Sequence, residues 1–481
     1  MKKQIIVASI VYTFLSVLQP LANFVLLPVY TKYFSESQFG VFSILNNLNI
    51  FFSIISGLGI IHAIIAFHST YNDNKSDLCK YVGNVLSFTF YSNLAILAFM
   101  YFTGEIIFKF IFKQNIDFFP DGFLSVSYGL CSNIVTGYLY FLKYEKNILR
   151  FAFISFLQFF LSTVLQYVCV VDFNMGITGA LTARLIVTLF CLLLVIIYHY
   201  NYLFAKINFS KFITPSLKYS LNTIPASIIA WLCSYGDRFL IERFIDLQSL
   251  GVYSFLSTIS SLTEMIFLAL GSAIQPFIFD FFKAENKARA INLYRMFILL
   301  STCGASFIIM AGSNLKLIIH NNGYLSIVEY LTIMTIGYIF SAITYLFNLQ
   351  VIYKKKSHYF LYLGLIVLTS NLSLNALLIP RFGIWGVVVS STLTKLISAI
   401  TSTYFARKSF PLYVGKNNYL ALFFIILVII AFWVIGSLDY FSLSTTGILQ
   451  FVTILSMVTI FYRKIIRKSI NELSELFRKS N

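Results

Sequence analysis

The sequence predicts an all-α polytopic membrane protein of about 14 transmembrane helices, built as two parallel-related six-helix lobes with an appended helix pair. Three observations carry that expectation. The 481 residues are 58% hydrophobic, 18% aromatic and 11% charged, with a mean hydropathy of +0.82, and a water-soluble fold would then need apolar surface on nearly every helix face. No Pro/Gly/Ser-rich linker or polar block divides the chain into domains. Finally, two phrases recur in order: Gly40-Val41-Phe42-Ser43 returns as Gly251-Val252-Tyr253-Ser254, and Gly176-Ile177-Thr178-Gly179 returns as Gly383-Ile384-Trp385-Gly386. One membrane unit is written twice.

Taken in order, the hydrophobic windows begin with a first span at 5–29. Met1-Lys2-Lys3 and the apolar run behind them resemble the opening of a signal peptide, but no A-x-A-like cleavage site follows, which predicts a retained helix. Its polar stripe is Tyr12, Ser16, Gln19, Asn23 and Tyr30; the second span, 38–66, carries Asn46, Asn49, Ser53 and Ser56. Spans at 81–102 and 122–142 precede a fifth at 151–172, striped by Ser155, Gln158, Ser162 and Gln166, and a sixth at 177–199 that holds Arg184. A polar connection at 201–218 separates an N-terminal lobe at 1–200 from a C-terminal lobe at 219–406.

The second lobe runs through spans at 219–240, 250–280, 293–313, 326–352, 358–379 and 385–406. Span 7 carries Ser227, Trp231, Ser234, Asp237 and Arg238, span 8 carries Ser257, Ser260 and Glu264, and span 12 carries Ser391, Lys395, Ser398 and Ser402. Pro20, Pro28, Pro225 and Pro276 lie in or near spans 1, 7 and 8, where each permits a bend that a bundle can absorb. The segment 407–462 supplies the appended pair, spans 13 and 14. In 463–481, Ile466, Ile470, Leu473 and Phe477 recur at helical spacing among Lys and Arg, the pattern of an interfacial amphipathic tail.

Charge placement is consistent with this plan. The formal net charge is +17, yet about 26 Lys/Arg fall on connections of one parity and about six on the other, which places both termini in the cytoplasm by the positive-inside rule. The excess therefore marks topology and implies no nucleic-acid partner. Cys79, Cys131, Cys169, Cys191, Cys233 and Cys303 are scattered without a CxxC pair, so neither a disulfide framework nor a metal site is implied. No Walker A phosphate-binding sequence is present and no cofactor is expected.

Polar side chains inside lipid-embedded helices must face the bundle or a cavity. Ser and Thr stripes are also the ordinary glue of membrane helices. Asn23, Asn46, Asn49, Gln158 and Gln166 fit instead a hydrated cavity lined by partners for a polar substrate. Full charges say more, because a central Lys, Arg or Asp costs about 2.5 to 3.5 kcal/mol on insertion scales. Arg184 and Lys395 sit on equivalent helices, about one turn apart when measured from the repeated glycines. They are either cavity cations or members of buried ion pairs with Asp172, Asp237 or Glu264. Arg238 with Asp237 reads as a local salt bridge or a substrate contact, and Glu264 as a counter-ion or a protonatable coupling group. Each of these charges falls opposite an uncharged residue in the other copy.

Three segments resemble bacterial lipid-linked oligosaccharide flippases of the Wzx type, within the multidrug/oligosaccharidyl-lipid/polysaccharide exporter superfamily: Leu27-Pro28 through Gly40-Val41-Phe42-Ser43 and Gly57-Leu58-Gly59; Leu217 to Phe277; and Asn371 through Gly386. The resemblance implies a MATE-like, two-lobed, alternating-access carrier. Its cationic cavity would pass an undecaprenyl diphosphate-linked repeat unit to the periplasmic leaflet for O-antigen, lipopolysaccharide or other surface polysaccharide. It also implies coupling to a proton or sodium gradient or to membrane potential, and partnership with a polymerase and a chain-length regulator. On that basis Arg184, Lys395 and Arg238 are the candidate diphosphate ligands, the Asn and Gln residues above the candidate sugar contacts, and Glu264, Asp237 and Asp172 the candidate coupling or counter-ion groups.

Alternatives are a multidrug or cation antiporter of the same superfamily, which is expected to carry acidic residues in its N-terminal lobe where spans 1 and 2 have none, and a lipid II flippase. A membrane glycosyl polymerase would need a large outer loop with catalytic carboxylates, and a facilitator-type transporter a Gly and Asp-Arg signature between spans 2 and 3. Neither feature is present. The reading is that of a transporter rather than an enzyme.

Overall fold

The computed structural model describes residues 15, 18, 21–71, 74–113, 116–203, 207–315, 319, 321–325, 328–356, 358–412, 416–437 and 445–457, and no β-strand occurs among them. The main helices are α1 (Leu27–Tyr33, entered from helical residues 21–25), α2 (Glu36–Ile55), α3 (Ala63–Tyr71), α4 (Lys75–Ile111), α5 (Phe123–Tyr144), α6 (Ile148–Tyr167), α7 (Gly176–Leu203), α8 (Thr214–Phe244), α9 (Leu247–Lys283), α10 (Lys287–Ser313), α11 (Leu331–Tyr353), α12 (His358–Ser409) and α13 (Lys416–Ser437). The apolar helix α14 (Thr445–Met457) follows. From the second span onward each expected span falls on one of these helices. Eight helical segments among the described residues are long and apolar enough to cross a membrane. Tyr12, Ser16, Gln19, Pro20 and the tail at 463–481 lie outside the described residues.

The second span differs from the continuous helix that its hydropathy predicts. Gly57, Leu58 and Gly59 take φ values of 57°, 51° and 67°, which ends α2 and restarts the chain as α3. Asn93 of α4 holds the break: its Oδ1 accepts from Ser56 Oγ at 2.9 Å and from the Gly57 N–H at 3.2 Å, and its Nδ2 donates to the Leu130 carbonyl at 2.9 Å. In hydrocarbon, backbone groups freed by a broken helix must find partners inside the protein, and the Asn93 amide supplies one for the Gly57 N–H.

The two Gly-Ile-x-Gly copies occupy equivalent turns, whereas the Gly-Val-aromatic-Ser copies lie within α2 and α9. In the first copy Gly176 has φ 59° and opens α7 directly after α6, and the Arg150 guanidinium lies over the Tyr198 ring at 5.1 Å, so the two helices form an antiparallel hairpin. In the second copy α12 breaks at Gly383 (φ 56°, ψ −133°), Ser390 Oγ donates to Asn375 Oδ1, and Tyr359 stacks on Phe405 at 4.7 Å. These pairs are symmetric about the break, so α12 is a hairpin containing both expected spans 11 and 12. The opposite turns match as well. Lys146 (φ 58°) and Lys355 (φ 55°) close α5 and α11 with the same pattern, Asn147 N–H to the Leu142 carbonyl and Lys356 N–H to the Val351 carbonyl.

The helices gather into two compact units, Met1–Ser254 and Phe255–Asn481, divided within α9. The first unit packs around residues such as Ile60, Tyr81, Val85, Val135 and Ile154, and it takes in α8 and the start of α9. The second packs around residues such as Phe282, Tyr294, Leu346 and Phe347 and includes Ile429 of α13 and Ile454 of α14.

Inside the first unit, Gly40 of α2 meets Gly251 of α9. A Cβ on Gly40 would strike the Leu247 carbonyl oxygen and stand 3.1 Å from the Gly251 nitrogen, while one on Gly251 would strike the Glu36 carbonyl oxygen and stand 3.0 Å from the Gly40 nitrogen. The repeated glycine is thus the place where the two copies of the phrase touch, backbone against backbone. Gly40→Ala and Gly251→Ala are each expected to lower stability by about 1–3 kcal/mol, the usual cost of overpacking. Gly236→Ala, with nothing within 4 Å of its Cβ, should cause no loss. Thermal unfolding of the three purified variants in detergent checks the contrast.

Candidate functional site

Arg184 lies two turns into α7, where the Gly176 turn aims it back into the first unit, and it is 6% exposed. Its Nε donates to Gln166 Oε1 at 2.6 Å, its Nη1 donates to Asn46 Oδ1, and its Nη2 donates to Asn23 Oδ1 at 2.8 Å. The plane of the guanidinium rests over the Phe42 ring at 5.1 Å, a cation–π contact. Tyr30 of α1 donates to the same Gln166 oxygen at 2.7 Å, and Gln166 Nε2 donates to Ser162 Oγ at 2.8 Å. Four helical segments, 21–25, α2, α6 and α7, therefore converge on one cation.

Every acceptor in that cage is a neutral amide. Among the described residues, no carboxylate stands within ion-pair distance of Arg184; the ion pairs there are Lys75–Glu145, Lys109–Glu105, Lys211–Asp77 and Arg238–Asp237. Hydrogen bonds to a charged group contribute roughly 1.5–3 kcal/mol each, so three of them offset much of the desolvation that burial imposes. They do so without cancelling the charge. An anion brought to about 4 Å would gain on the order of 4 kcal/mol at an effective dielectric constant near 20.

Arg238 near the end of α8 has a different environment. It is 8% exposed and pairs with Asp237 at 3.0 Å. Asp237 Oδ2 accepts from the Tyr253 hydroxyl, and the Arg238 guanidinium lies 5.3 Å from the Tyr235 ring and 5.8 Å from the Tyr253 ring. Phe42 and Tyr253 are the aromatic residues of the two Gly-Val-aromatic-Ser copies. Each copy thus sets its aromatic beneath an arginine, one neutralised by a neighbouring carboxylate and the other not.

The second unit holds Lys395, whose Nζ sits 3.8 Å from the centre of the Tyr338 ring. Glu264 lies near enough for the two charges to interact. The serines of the same stripe bond α11: Ser402 Oγ donates to Asn348 Oδ1 at 2.7 Å, and Thr344 Oγ1 donates to Ser398 Oγ at 3.3 Å.

Among the other residues singled out from sequence, Asn49 Nδ2 reaches Asn46 Oδ1 at 3.5 Å and borders the cage. Gln158 is buried on α6, two turns from Gln166, with no partner for its Oε1 among the described residues, and no hydrogen bond brings it to Arg184. Asp172 is exposed at the turn between α6 and α7, away from the ion pairing considered for Arg184. The sequence reading passed over Phe42, Tyr253 and Tyr338 as cation partners and Asn93 as the clasp of the broken helix. The recurrence of Gly-Val-aromatic-Ser was the available signal for the first two. No group of three or more His, Cys, Asp or Glu that could hold a metal occurs among the described residues.

Residues 6–282 match the family model of the polysaccharide biosynthesis protein. No curated protein is significantly similar in sequence. In structure the chain is similar to the lipid II flippase MurJ in an inward closed conformation, with a TM-score of 0.73 at 17% identity over 96% of this chain and 100% of that one. It is also similar to an inward-facing multidrug resistance MATE family transporter of the MOP superfamily, at 0.63 and 14% identity over 82% and 94% of the two chains. The bent form of the Vibrio cholerae MATE transporter VcmN gives 0.55 and 14% identity over 85% and 98%. These likenesses establish a MATE-like helical fold.

Two mutational outcomes follow from the cage and the pair. Asp237→Ala strips a buried guanidinium of its carboxylate and should cost on the order of 3–5 kcal/mol, with Asp237→Leu/Arg238→Leu recovering most of it. Gln166→Leu, which orphans Arg184 Nε and the Tyr30 hydroxyl, should cost about 1–3 kcal/mol. Unfolding temperatures of the detergent-purified variants measure both.

Proposed function

Because the chain belongs to the polysaccharide biosynthesis protein family, we propose that it is a flippase for an undecaprenyl diphosphate-linked oligosaccharide repeat unit. The unit would pass from the cytoplasmic to the periplasmic leaflet by alternating access, in the service of O-antigen or another surface polysaccharide. The observation that carries the reading is Arg184, a buried cation held by three neutral amide oxygens and by no carboxylate among the described residues. A diphosphate does not cross a ~30 Å hydrocarbon layer unaided, and a buried guanidinium offers it charge-assisted, geometrically matched hydrogen bonds. Asn23, Asn46 and Asn49 stand beside that cation as partners for sugar hydroxyls, while the polyprenyl tail stays in the bilayer. The step makes and breaks no covalent bond. The likeness to a protein described as a lipid II flippase supports a lipid-linked substrate.

In this reading Glu264, whose charge interacts with that of Lys395, is the coupling or counter-ion group, and Lys395 is a further candidate phosphate ligand in its own unit. In the same reading the chain lies in a bacterial inner membrane, and the Lys/Arg bias supports cytoplasmic termini.

Arg184→Ala should reduce flipping by about 10- to 100-fold, the equivalent of one or more charged hydrogen bonds. Surface polysaccharide should be lost while membrane insertion is unchanged. Immunoblotting of the polysaccharide and of the membrane fraction reads both, and normal polysaccharide in the variant removes Arg184 as the phosphate ligand. Glu264→Gln should alter the dependence of transport on an imposed proton gradient in proteoliposomes; an unchanged response assigns Glu264 to packing.

A further inference from the structure

We infer that Asn23 is the exchangeable wall of the Arg184 cage: its neutral amide oxygen holds the cationic Nη2 by a hydrogen bond that a phosphoryl oxygen of the substrate replaces. The inference rests on Arg184 being the anion site and adds how that site loads.

The other walls are fixed by second bonds. Gln166 is 1% exposed, and its Oε1 accepts from both Arg184 Nε and Tyr30, at 2.6 Å and 2.7 Å. Its Nε2 is committed to Ser162, to the hydroxyl at 2.8 Å and the carbonyl at 2.9 Å. Asn46 accepts from Arg184 Nη1 and from Asn49 at 3.5 Å. Asn23, by contrast, is exposed, and among the described residues its amide bonds Arg184 alone, at 2.8 Å. Each Nη holds one amide, and of the two amides Asn23 is the exposed one, so Nη2 is the corner of the guanidinium nearer a ligand.

The chemistry of the exchange favours the anion. A guanidinium has five N–H donors, and an ionised acceptor adds to such a bond a charge–charge attraction that a neutral amide oxygen lacks. The displaced amide, already at the opening, then meets water or a sugar hydroxyl. A carboxylate at position 23 would behave in the opposite way, closing an internal ion pair that a phosphate must break. Asn23 also belongs to the helical segment 21–25 that leads into α1, whereas Arg184 belongs to α7, so the exchange removes a tie between those two elements as the ligand docks.

The test titrates the full-length protein in nanodiscs by calorimetry with inorganic pyrophosphate and, separately, with farnesyl diphosphate. Asn23→Ala and Asn23→Ser should bind about 10- to 100-fold more tightly than the natural protein, the fold-change equivalent of one hydrogen bond to a charged group. Asn23→Asp should bind at least about 10-fold more weakly, the cost of competing with an internal carboxylate. The same ranking with both probes means that the diphosphate itself is recognised; the ranking with farnesyl diphosphate alone means that recognition requires the lipid-linked form. Equal or weaker binding by Asn23→Ala and Asn23→Ser, with binding still abolished by Arg184→Ala, overturns the exchange and leaves Arg184 as the anion ligand. Binding of neither probe by the natural protein, or full binding by Arg184→Ala, overturns Arg184 itself. To separate loss of fold from loss of site, the rise in unfolding temperature on adding pyrophosphate is compared, and it should be larger for Asn23→Ala than for the natural protein.

Discussion

The contact between Gly40 and Gly251 is the constraint from which the first unit is organised. Two helices approach until backbone nitrogen and carbonyl groups touch, and only residues without a Cβ allow it. In lipid, where the surrounding tails are as apolar as Leu, close packing of small residues is a main source of helix association. The crossing also fixes what lies two residues further along each strand of the repeat. Phe42 and Tyr253 flank it, and each supports an arginine. The geometry of the candidate site is thus inherited from a glycine pair that makes no contact with a ligand.

Around that shared frame the charges are arranged unequally. Arg238 is balanced within its own helix by Asp237, and Tyr253 completes the arrangement. Arg184 receives only amide dipoles, which solvate a cation without discharging it. A buried charge of this kind costs stability compared with a paired one. Its retention is intelligible when the missing counter-charge is supplied by what the protein carries. The neutral cage keeps the guanidinium oriented and the net field positive, two properties that a carboxylate partner would trade against each other.

Several features were readable before any coordinates. Hydropathy located spans 2 to 14, and the repeated Gly-Ile-x-Gly phrase sits in both copies where the chain turns at a glycine of positive φ, Gly176 and Gly383. Asn23, Asn46 and Gln166, each taken from the polar stripe of its own span, all bond Arg184, since a helical period puts such residues on one face. The break at Gly57-Leu58-Gly59 escaped the hydropathy window, since an apolar run reads the same whether its backbone is continuous or reversed. Gln158 shares the stripe of Gln166 yet has no bond to Arg184, because one face of a helix extends over several turns and only one turn meets the cation.

By itself the sequence determined the membrane class, the helical repeat, the turns and the candidate charges, all of which follow from local composition and period. Tertiary structure decided which charge keeps a carboxylate and which is left with amides. That choice depends on the side chains that neighbouring helices bring within about 3 Å, and separations of more than a hundred residues, such as Asn23 to Arg184, leave no trace in local sequence.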